Sequence, residues 1–221
     1  MAPDATDIWA IGDIHGCLDK LKRLLEKMRY SAAESIVFIG DYIDRGPQSA
    51  EVIDYLIELR QANPFLQFLR GNHEDLFFDW LQRRNEFWPV PSIISYSGEV
   101  WLMNGGKETI ASYEARYPNA PAFIPEHQVS FFERLQLKVE TRDYIFVHAG
   151  MRSDREAPKD MLWIRDTFHQ RTTELDKVVV FGHTPFPEPL VHDDKIGIDT
   201  GACYGGKLTA VRLPARTFVQ V

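Results

Sequence analysis

The strongest constraint on the fold is a regular alternation of short apolar runs and longer amphipathic runs in the first part of the chain. The runs read, in order, DIWAIG, CLDKLKRLLEKM, SIVFIG, SAEVIDYLIELR, FLQFLRG and EDLFFDWLQRR. In the second run, Leu18, Leu21, Leu24, Leu25 and Met28 recur at steps of three and four residues, which places one apolar face on a helix. The alternation predicts strands and helices in turn, and therefore a parallel sheet that helices cover.

The second half of the chain has a different pattern, in which strand-like runs are joined by short connections. A predicted helix at HQVSFFERLQ, residues 127–136, is followed by YIFVHAG, KVVVFGH, KIGIDTG and KLTAVRL. Short connections favour neighbouring strands in one mixed or antiparallel sheet. The two patterns together predict an α/β fold with two sheets.

The length of the chain predicts one domain. A chain of 221 residues can bury roughly 70% of the surface that its unfolded form exposes, which is enough for one substantial core. We therefore predict a single domain over residues 1–221. Its middle, about residues 85–125, is rich in Pro, Gly, Ser and aromatic residues and has one predicted helix at about 99–115. We expect this segment to form a variable lid.

Charge and hydropathy exclude several partner classes. The formal net charge is −7, and the basic residues are scattered along the chain, so nucleic acid is not expected as a partner. The amino terminus, MAPDATD, is acidic, and the apolar runs are too short to span a bilayer, which predicts a cytoplasmic protein without a membrane partner. Cys17 and Cys203 are expected to be reduced and buried, without a redox role. No oligomeric state is predicted.

Polar residues beside glycines follow the strand-like runs. The segments are GDIHG, GDYIDRG, RGNHE, VHAG, FGH and DTG. Ligand sites in open α/β sheets lie at the carboxyl ends of the strands, and glycine allows the sharp turns that bring side chains together there. We expect these side chains to converge on one point: Asp13, His15, Asp41, Asn72, His148 and His183.

The chemistry of this set indicates a metal centre. Carboxylate, imidazole and amide oxygen groups without thiolate suit Mn²⁺, Fe or Zn²⁺. Six ligands exceed the needs of one tetrahedral ion, whereas two ions about 3.5 to 4 Å apart that share a carboxylate account for the number. Asp41 is the best candidate for the shared carboxylate.

The ordered motifs resemble those of calcineurin-like metallophosphoesterases, and specifically the phosphoprotein phosphatase family. The resemblance rests on GDIHG, GDYIDRG, GNHE, VHAG and GHTP, in that order. GHTP lacks the second histidine of the GHxH found in many phosphodiesterases and nucleases. The segments WLMNGG at 101–106, LWIRD at 162–166 and DTGACYGGKL at 199–208 resemble the compact bacterial protein phosphatases. This resemblance implies two mixed β-sheets packed as a sandwich and flanked by helices.

The resemblance also implies a role for each motif residue. Asp13 and His15 would hold one metal, Asp41 would bridge, and the second metal would be held by Asn72, His148 and His183. His73 would be the general acid, oriented by Asp44, while Arg45 and Arg165 would bind the substrate phosphate. A hydroxide that bridges two divalent metal ions would attack the phosphorus directly. Mn²⁺ is the first choice for these ions, and Fe and Zn²⁺ are the alternatives. In this scheme Glu74 is an acid in the first turn of a helix, favoured by the helix dipole.

The predicted function is that of a serine/threonine protein phosphatase acting on a phosphorylated protein or peptide. The alternative is a symmetrical diadenosine tetraphosphate hydrolase, whose relatives carry the same metal motifs. A third reading, a binding module that has lost catalysis, would require a missing ligand or acid, and none is missing. Structural roles are expected for the histidines outside the motifs: His127 at a helix start, His169 at a helix end and His192 in a loop. Asp44 and Arg45 also have structural alternatives, as a turn residue and a salt-bridge partner.

Overall fold

The first sheet of the protein contains both parallel and antiparallel strand pairs. The computed structural model describes residues 7–84, 88–96, 99–120 and 122–221. The strands of this sheet are β1 (Ile8–Ile11), β2 (Ser35–Phe38), β3 (Leu66–Phe68), β9 (Asp199–Thr200), β10 (Lys207–Leu213) and β11 (Thr217–Gln220). Their spatial order is β11-β10-β1-β2-β3, with β9 paired to β10. Strands β1, β2 and β3 are parallel, as predicted, whereas β10 runs antiparallel to β1.

The second sheet is also mixed and comes from the second half of the chain. Its strands are β4 (Lys138–Glu140), β5 (Tyr144–Val147), β6 (Val178–Phe181), β7 (Leu190–Val191) and β8 (Lys195–Gly197). They lie in the order β4-β5-β6-β8-β7, and the three central strands are parallel. The run KIGIDTG, predicted as one strand, is divided between the sheets, since β8 pairs with β6 and β9 pairs with β10.

The helices flank the two sheets. They are α1 (Leu18–Met28), α2 (Ser49–Ala62), α3 (Asn72–Arg83), α4 (Lys107–Arg116), α5 (Glu126–Glu133), α6 (Pro158–Trp163) and α7 (Asp166–His169). The amphipathic runs predict α1 to α3, and the separate predicted helices at about 99–115 and 127–136 correspond to α4 and α5, whereas the short helices α6 and α7 match no predicted helix. A π-helical turn at Leu102–Gly106 precedes α4. Among the described residues, no helix is long and apolar enough to cross a membrane.

The side chains of β1 show why the sheets form a sandwich. Successive residues of a strand point to opposite faces. Ile8 and Ala10 pack between the two sheets, in a buried cluster that also contains Phe146 and Val180. Trp9 lies on the other face, in the cluster that α1 and α2 cover. The helix–sheet–sheet–helix arrangement confirms the predicted α/β sandwich.

The segment expected to form a lid contributes directly to the core. Trp101 and Tyr113 are each 1% exposed, and Ile124 is 5% exposed, in the same cluster as the helices that cover the first sheet. The helix predicted at 99–115 is present as the π-helical turn followed by α4. Within this segment, residues 85–87, 97–98 and 121 lie outside the described residues.

Candidate active site

The carboxyl ends of strands from both sheets meet at one edge of the sandwich. Asp13 and His15 follow β1, Asp41 follows β2, and Asn72 and His73 begin α3 after β3. His148 follows β5 and His183 follows β6 in the second sheet. All seven side chains are at most 5% exposed. The six predicted ligands therefore lie together at this edge, four of them after strands of the first sheet and two after strands of the second.

One half of the cluster joins Asn72 to two histidines and Asp41. Nδ1–H of His148 donates to the carbonyl of Ile39 at 3.0 Å, so its Nε2 carries a lone pair. That Nε2 lies 2.9 Å from Asn72 Oδ1 and 3.5 Å from Asp41 Oδ1, which are also acceptors. His183 Nδ1 lies 2.8 Å from the same amide oxygen. The lone pair of His148 Nε2 therefore faces other acceptors, an arrangement that a cation would stabilise, so these residues fit a metal ion.

The other half of the cluster joins His15, Asp41 and Asp13. His15 donates from Nδ1–H to the carbonyl of Ile43 at 2.8 Å, which leaves Nε2 as an acceptor 3.4 Å from Asp41 Oδ2. The Asp13 carboxylate accepts the backbone N–H of His183 at 3.0 Å. Burial raises the pKa of Asp13 well above its usual range, and the charges of Asp199 and Asp41 raise it further. This group of neighbouring carboxylates also fits a divalent cation.

Asp41 is the residue common to the two halves. Burial alone would raise the pKa of its carboxyl group, but the surrounding histidines, His148 and His73 first among them, hold that pKa below its usual range. Potential ligand atoms within 4.8 Å of one another form two overlapping groups, His15–Asp41–His73 and Asp41–His148–His183. The position of Asp41 between them is the one expected of a shared carboxylate.

Several of these residues adopt a backbone conformation that is rare for anything but glycine. They have positive φ angles: His15 at 45°, Asp41 at 52°, Asp44 at 72°, Arg45 at 68° and His183 at 66°. Each such residue costs of order 1–3 kcal/mol and persists only where its surroundings determine it. Strain concentrated at one edge of the sandwich marks this edge as a functional site.

His73 and Asp44 form a buried pair beside the metal candidates. Nδ1–H of His73 donates to Asp44 Oδ2 at 2.7 Å, and His73 Nε2 points toward Asp41, 4.0 Å from Oδ2. Burial would lower the pKa of His73, but the charge of Asp41 and the hydrogen bond and charge of Asp44 raise it above its usual value. A protonated imidazole whose Nε2–H faces the cluster can donate a proton there.

Asp44 has two further partners that the sequence did not predict. Nε1–H of Trp101 donates to both carboxylate oxygens, at 3.0 and 2.9 Å, and the hydroxyl of Thr109 donates to Oδ1 at 2.7 Å. Both partners come from the segment expected to form a lid. The motif WLMNGG indicated that Trp101 belongs to a recurring segment, but not that its indole reaches Asp44.

The two predicted phosphate-binding arginines lie on different sides of the cluster. Arg45 is half-buried, donates from Nη1 to His15 Nε2 at 2.7 Å, and places its guanidinium 5.2 Å from the ring centre of Tyr204. Arg165 is exposed and donates to Thr184 Oγ1 at 3.4 Å. The charge of Arg165 contributes to lowering the pKa of His183, after burial and His148. Tyr204, which has no predicted role, therefore flanks the Arg45 guanidinium.

The two cysteines are half-buried, which corrects the prediction that both are buried. They are unpaired, as expected. Cys17 precedes α1 and Cys203 lies in the 3-10 turn Ala202–Tyr204.

Glu74 is an acid in the first turn of α3, as predicted, but its main contacts lie elsewhere. Its carboxylate accepts the backbone N–H groups of Gly71 at 2.9 Å, Asp41 at 3.0 Å and Tyr42 at 2.9 Å. Burial and the charge of Asp41 raise the pKa of Glu74 to about 8, against these donors, which favour the ionised form. A side chain at Gly71 would collide with Asp41, so glycine is required for this close approach. Glu74 thus fixes the turn that carries Asp41.

Glu74→Gln should destabilise the fold by about 1 to 3 kcal/mol, because the new NH₂ group cannot accept from the backbone N–H that it faces. Urea unfolding measures this change. Glu108→Gln is the matched control, since Glu108 is an exposed acid in the first turn of α4. If Glu74 acted only through the helix dipole, both variants would lose the same 0.3–1 kcal/mol or so.

The structure also locates the histidines outside the motifs. His127 is the second residue of α5 and donates from Nε2 to Asp54 at 3.0 Å. His169 is the last residue of α7, and His192 lies in a loop after β7. Asp54, at the centre of a network with Tyr117 and Gln128, belongs to α2 and not to the metal cluster.

Curated proteins similar to this chain include dinucleoside tetraphosphatases. The chain is 29% identical to the "Bis(5'-nucleosyl)-tetraphosphatase PrpE [asymmetrical]" of Bacillus cereus (strain AH187), over 96% of this chain and 92% of that protein. It is 30% identical to the protein of the same name from Oceanobacillus iheyensis, over 96% of this chain and 90% of that protein.

Solved structures with the same fold include phosphatases with different named substrates. A candidate diadenosine tetraphosphatase superposes with a TM-score of 0.70 at 20% identity, over 99% of this chain and 95% of that chain. A protein serine/threonine phosphatase of Saccharomyces cerevisiae has a TM-score of 0.62 at 18% identity, over 98% and 79% of the two chains. Identities this low indicate a common fold alone.

The family follows from the sequence and agrees with the geometry of the site. The model of the calcineurin-like phosphoesterase family matches residues 6–212, which includes every predicted ligand and the His73–Asp44 pair. Hydrolases of this family use divalent metals, and the histidine and aspartate cluster at the strand ends fits such a site. The chain belongs to the calcineurin-like phosphoesterase family.

Proposed function

We propose that this phosphoesterase is a dinuclear metal-dependent phosphomonoesterase that removes phosphate from phosphoserine and phosphothreonine in proteins or peptides. The observation that carries the proposal is the hydrogen bond of 2.7 Å between His73 Nδ1 and Asp44 Oδ2, buried beside the metal candidates. The alkoxide of serine or threonine is a poor leaving group and needs a proton as the phosphorus–oxygen bond breaks. A histidine held ready to donate that proton suits such a substrate.

The metal ions have proposed ligands on both sides of Asp41. Asp13 and His15 would hold one ion, and Asn72, His148 and His183 would hold the other. When bound, two divalent cations supply positive charge to the phosphate oxygens and lower the pKa of a water molecule. Mn²⁺ is our first choice for the pair, with Fe or Zn²⁺ as alternatives, because the donors are carboxylate, imidazole and amide oxygen.

The protein's own residues bind the phosphate and control one proton. Arg45 and Arg165 would hold the phosphate oxygens, since guanidinium groups match their geometry and charge. His73 would give its Nε2 proton to the leaving oxygen. Asp44 would keep the Nδ1 proton in place and stabilise the charged imidazole before the transfer.

The names of the curated relatives favour a second candidate, hydrolysis of dinucleoside tetraphosphates. The alternative function predicted from the sequence is symmetrical hydrolysis of diadenosine tetraphosphate, whereas the names of those relatives specify asymmetrical hydrolysis. An anhydride releases a phosphate leaving group, which departs more readily than an alkoxide and depends less on a general acid. The arginines and the metal candidates would serve either substrate.

The kcat/KM for a phosphothreonine peptide should exceed that for diadenosine tetraphosphate by at least about 10-fold, because an enzyme specific for phosphomonoesters stabilises the transition state of the monoester more than that of the anhydride. Both substrates are assayed with Mn²⁺ and with excess chelator. Chromatography of the nucleotide products separates the two reactions, since symmetrical cleavage yields ADP alone and asymmetrical cleavage yields AMP and ATP. A reversed preference would replace the protein phosphatase proposal by the tetraphosphatase.

A further inference from the structure

We propose that Trp101 and Thr109 are positioning residues for the reaction: they hold the Asp44 carboxylate so that it fixes His73 in its proton-donating orientation. This inference rests on the proposed role of His73 as general acid. The observation that carries it is a set of four hydrogen bonds around one buried carboxylate. The segment of these two residues was expected to form a lid, and it lies instead against the back of the catalytic pair.

The partners of the two Asp44 oxygens differ. Oδ1 accepts from Trp101 Nε1 at 3.0 Å and from Thr109 Oγ1 at 2.7 Å, whereas Oδ2 accepts from Trp101 at 2.9 Å and from His73 Nδ1 at 2.7 Å. With Oδ1 occupied by neutral donors, the carboxylate presents Oδ2 to the imidazole. Without these donors, the carboxylate could rotate about its Cβ–Cγ bond, and His73 would lose its fixed partner.

Thr109 also fixes the backbone of Asp44. Its hydroxyl oxygen accepts the backbone N–H of Asp44 at 2.9 Å, and Ser49 Oγ accepts the same N–H at 3.0 Å. Asp44 has a φ of 72°, a conformation that its surroundings must impose. One threonine therefore restrains both the main chain and the carboxylate of Asp44.

The orientation of Trp101 is determined by packing. Its indole lies against Gly106, where an added Cβ would approach the ring to 2.5 Å. Its ring centre is 5.0 Å from Phe77 and 4.5 Å from Trp80, in the buried cluster beneath the first sheet. Such a ring cannot turn its N–H away from Asp44 without a rearrangement of the core.

The π-helical turn that follows Trp101 also contacts Arg45, the residue after Asp44. The carbonyl of Gly105 accepts the backbone N–H of Arg45 at 3.2 Å, and Arg45 also has a positive φ, of 68°. The π-helical turn and the start of α4 therefore restrain both Asp44 and Arg45 by hydrogen bonds. Trp101, Gly105 and Thr109 thus each contribute a contact that holds the turn Asp44–Arg45 in place.

The test is a comparison of leaving groups. Trp101→Phe keeps an aromatic ring and removes the N–H donor, and Thr109→Val keeps the shape and removes the hydroxyl. Each should lower kcat for a phosphoserine peptide by about 10-fold or more, the lower end of the loss when an outer hydrogen-bond partner is removed. The kcat for p-nitrophenyl phosphate and the KM values should change by less than about 3-fold, since the phenolate leaves without the acid.

The controls separate a positioning role from a structural one. Trp80→Phe alters the same aromatic cluster and should change thermal stability without a preferential loss on the peptide. Thr109→Ser restores the hydroxyl and should restore kcat. Trp101→Phe added to His73→Asn should cause no further loss on the peptide, because residues that act through one group are not additive.

Two outcomes would overturn the inference, and they are distinguishable. If His73→Asn loses more rate on the peptide than on p-nitrophenyl phosphate but Trp101→Phe and Thr109→Val lose equally on both, the positioning role is wrong while the general acid stands. If His73→Asn itself shows no dependence on the leaving group, the general acid and the positioning role both fall.

Discussion

Removal of the divalent metals should abolish phosphate release, and Asp41→Asn should reproduce most of that loss even with excess metal. Asp41 Oδ2 lies 3.4 Å from His15 Nε2 and Oδ1 lies 3.5 Å from His148 Nε2, so one carboxylate serves both halves of the cluster. The amide of asparagine removes the negative charge that the two proposed ions would share. We expect activity to fall at least about 10³-fold, since metal ions supply several kcal/mol of charge stabilisation in the transition state.

The metal content distinguishes Asp41 from the other proposed ligands. Elemental analysis should find about two ions per chain in the unaltered protein, a marked deficit of both in Asp41→Asn, and a deficit mainly of one in Asn72→Ala. Asp54→Asn, which alters a carboxylate in the network of α2 and α5, should keep its metals and its activity. Two tightly held ions in Asp41→Asn would exclude the bridging role.

The arrangement of the metal candidates could be predicted because it follows from a general property of parallel sheets. Each motif ends a strand-like run, and the carboxyl ends of parallel strands meet at one edge. Asp13, Asp41 and Asn72 obey this rule in the first sheet, while His148 and His183 obey it in the second. A glycine one or two positions from each ligand is a local signal that a single sequence contains.

The surroundings of the His73–Asp44 pair could not be predicted, since they depend on contacts between residues far apart in the chain. Trp101 and Thr109 follow Asp44 by 57 and 65 positions, and nothing in their local sequence encodes a hydrogen bond to it. The aromatic, glycine-rich composition of their segment indicated a surface lid. The burial of Trp101 in the core shows that this part of the segment is not a surface lid. Glu74 is a similar case. Its place in the first turn of α3 could be predicted from the local sequence, but its hydrogen bonds with the distant backbone N–H groups of Asp41 and Tyr42 could not.

His73→Asn should lose about 10² to 10⁴-fold in kcat on a phosphoserine peptide, the usual contribution of a general acid, and much less on p-nitrophenyl phosphate. The benefit of a proton donor grows with the basicity of the leaving oxygen. A serine alkoxide is strongly basic and a nitrophenolate is not, so the two substrates measure the proton transfer separately from the other contributions. Asparagine retains a similar polar shape, and both metals should remain bound.

Asp44→Asn should show the same dependence on the leaving group with a smaller loss. Its amide keeps most of the shape but not the charge that raises the pKa of His73, and its NH₂ group cannot accept from the N–H or O–H donors of Trp101, Thr109 and His73 that it would face. When the orienting residue is changed, His73 is still present, but it is less often protonated and correctly oriented. The order of loss on the peptide should therefore be His73→Asn, then Asp44→Asn, then Trp101→Phe.

Metal analysis and the two substrates together decide what His73 does. Its Nε2 lies 4.0 Å from Asp41 Oδ2, within the group of potential ligand atoms that includes His15, so a ligand role is a real alternative to the acid. If His73 is a ligand, His73→Asn loses metal and both substrates suffer. If it stabilises the phosphoryl group by charge alone, the metals stay and the two substrates lose equally. Only a proton donor leaves the metals in place and makes the loss grow with the basicity of the leaving group, because only then is the missing step the protonation of the departing oxygen.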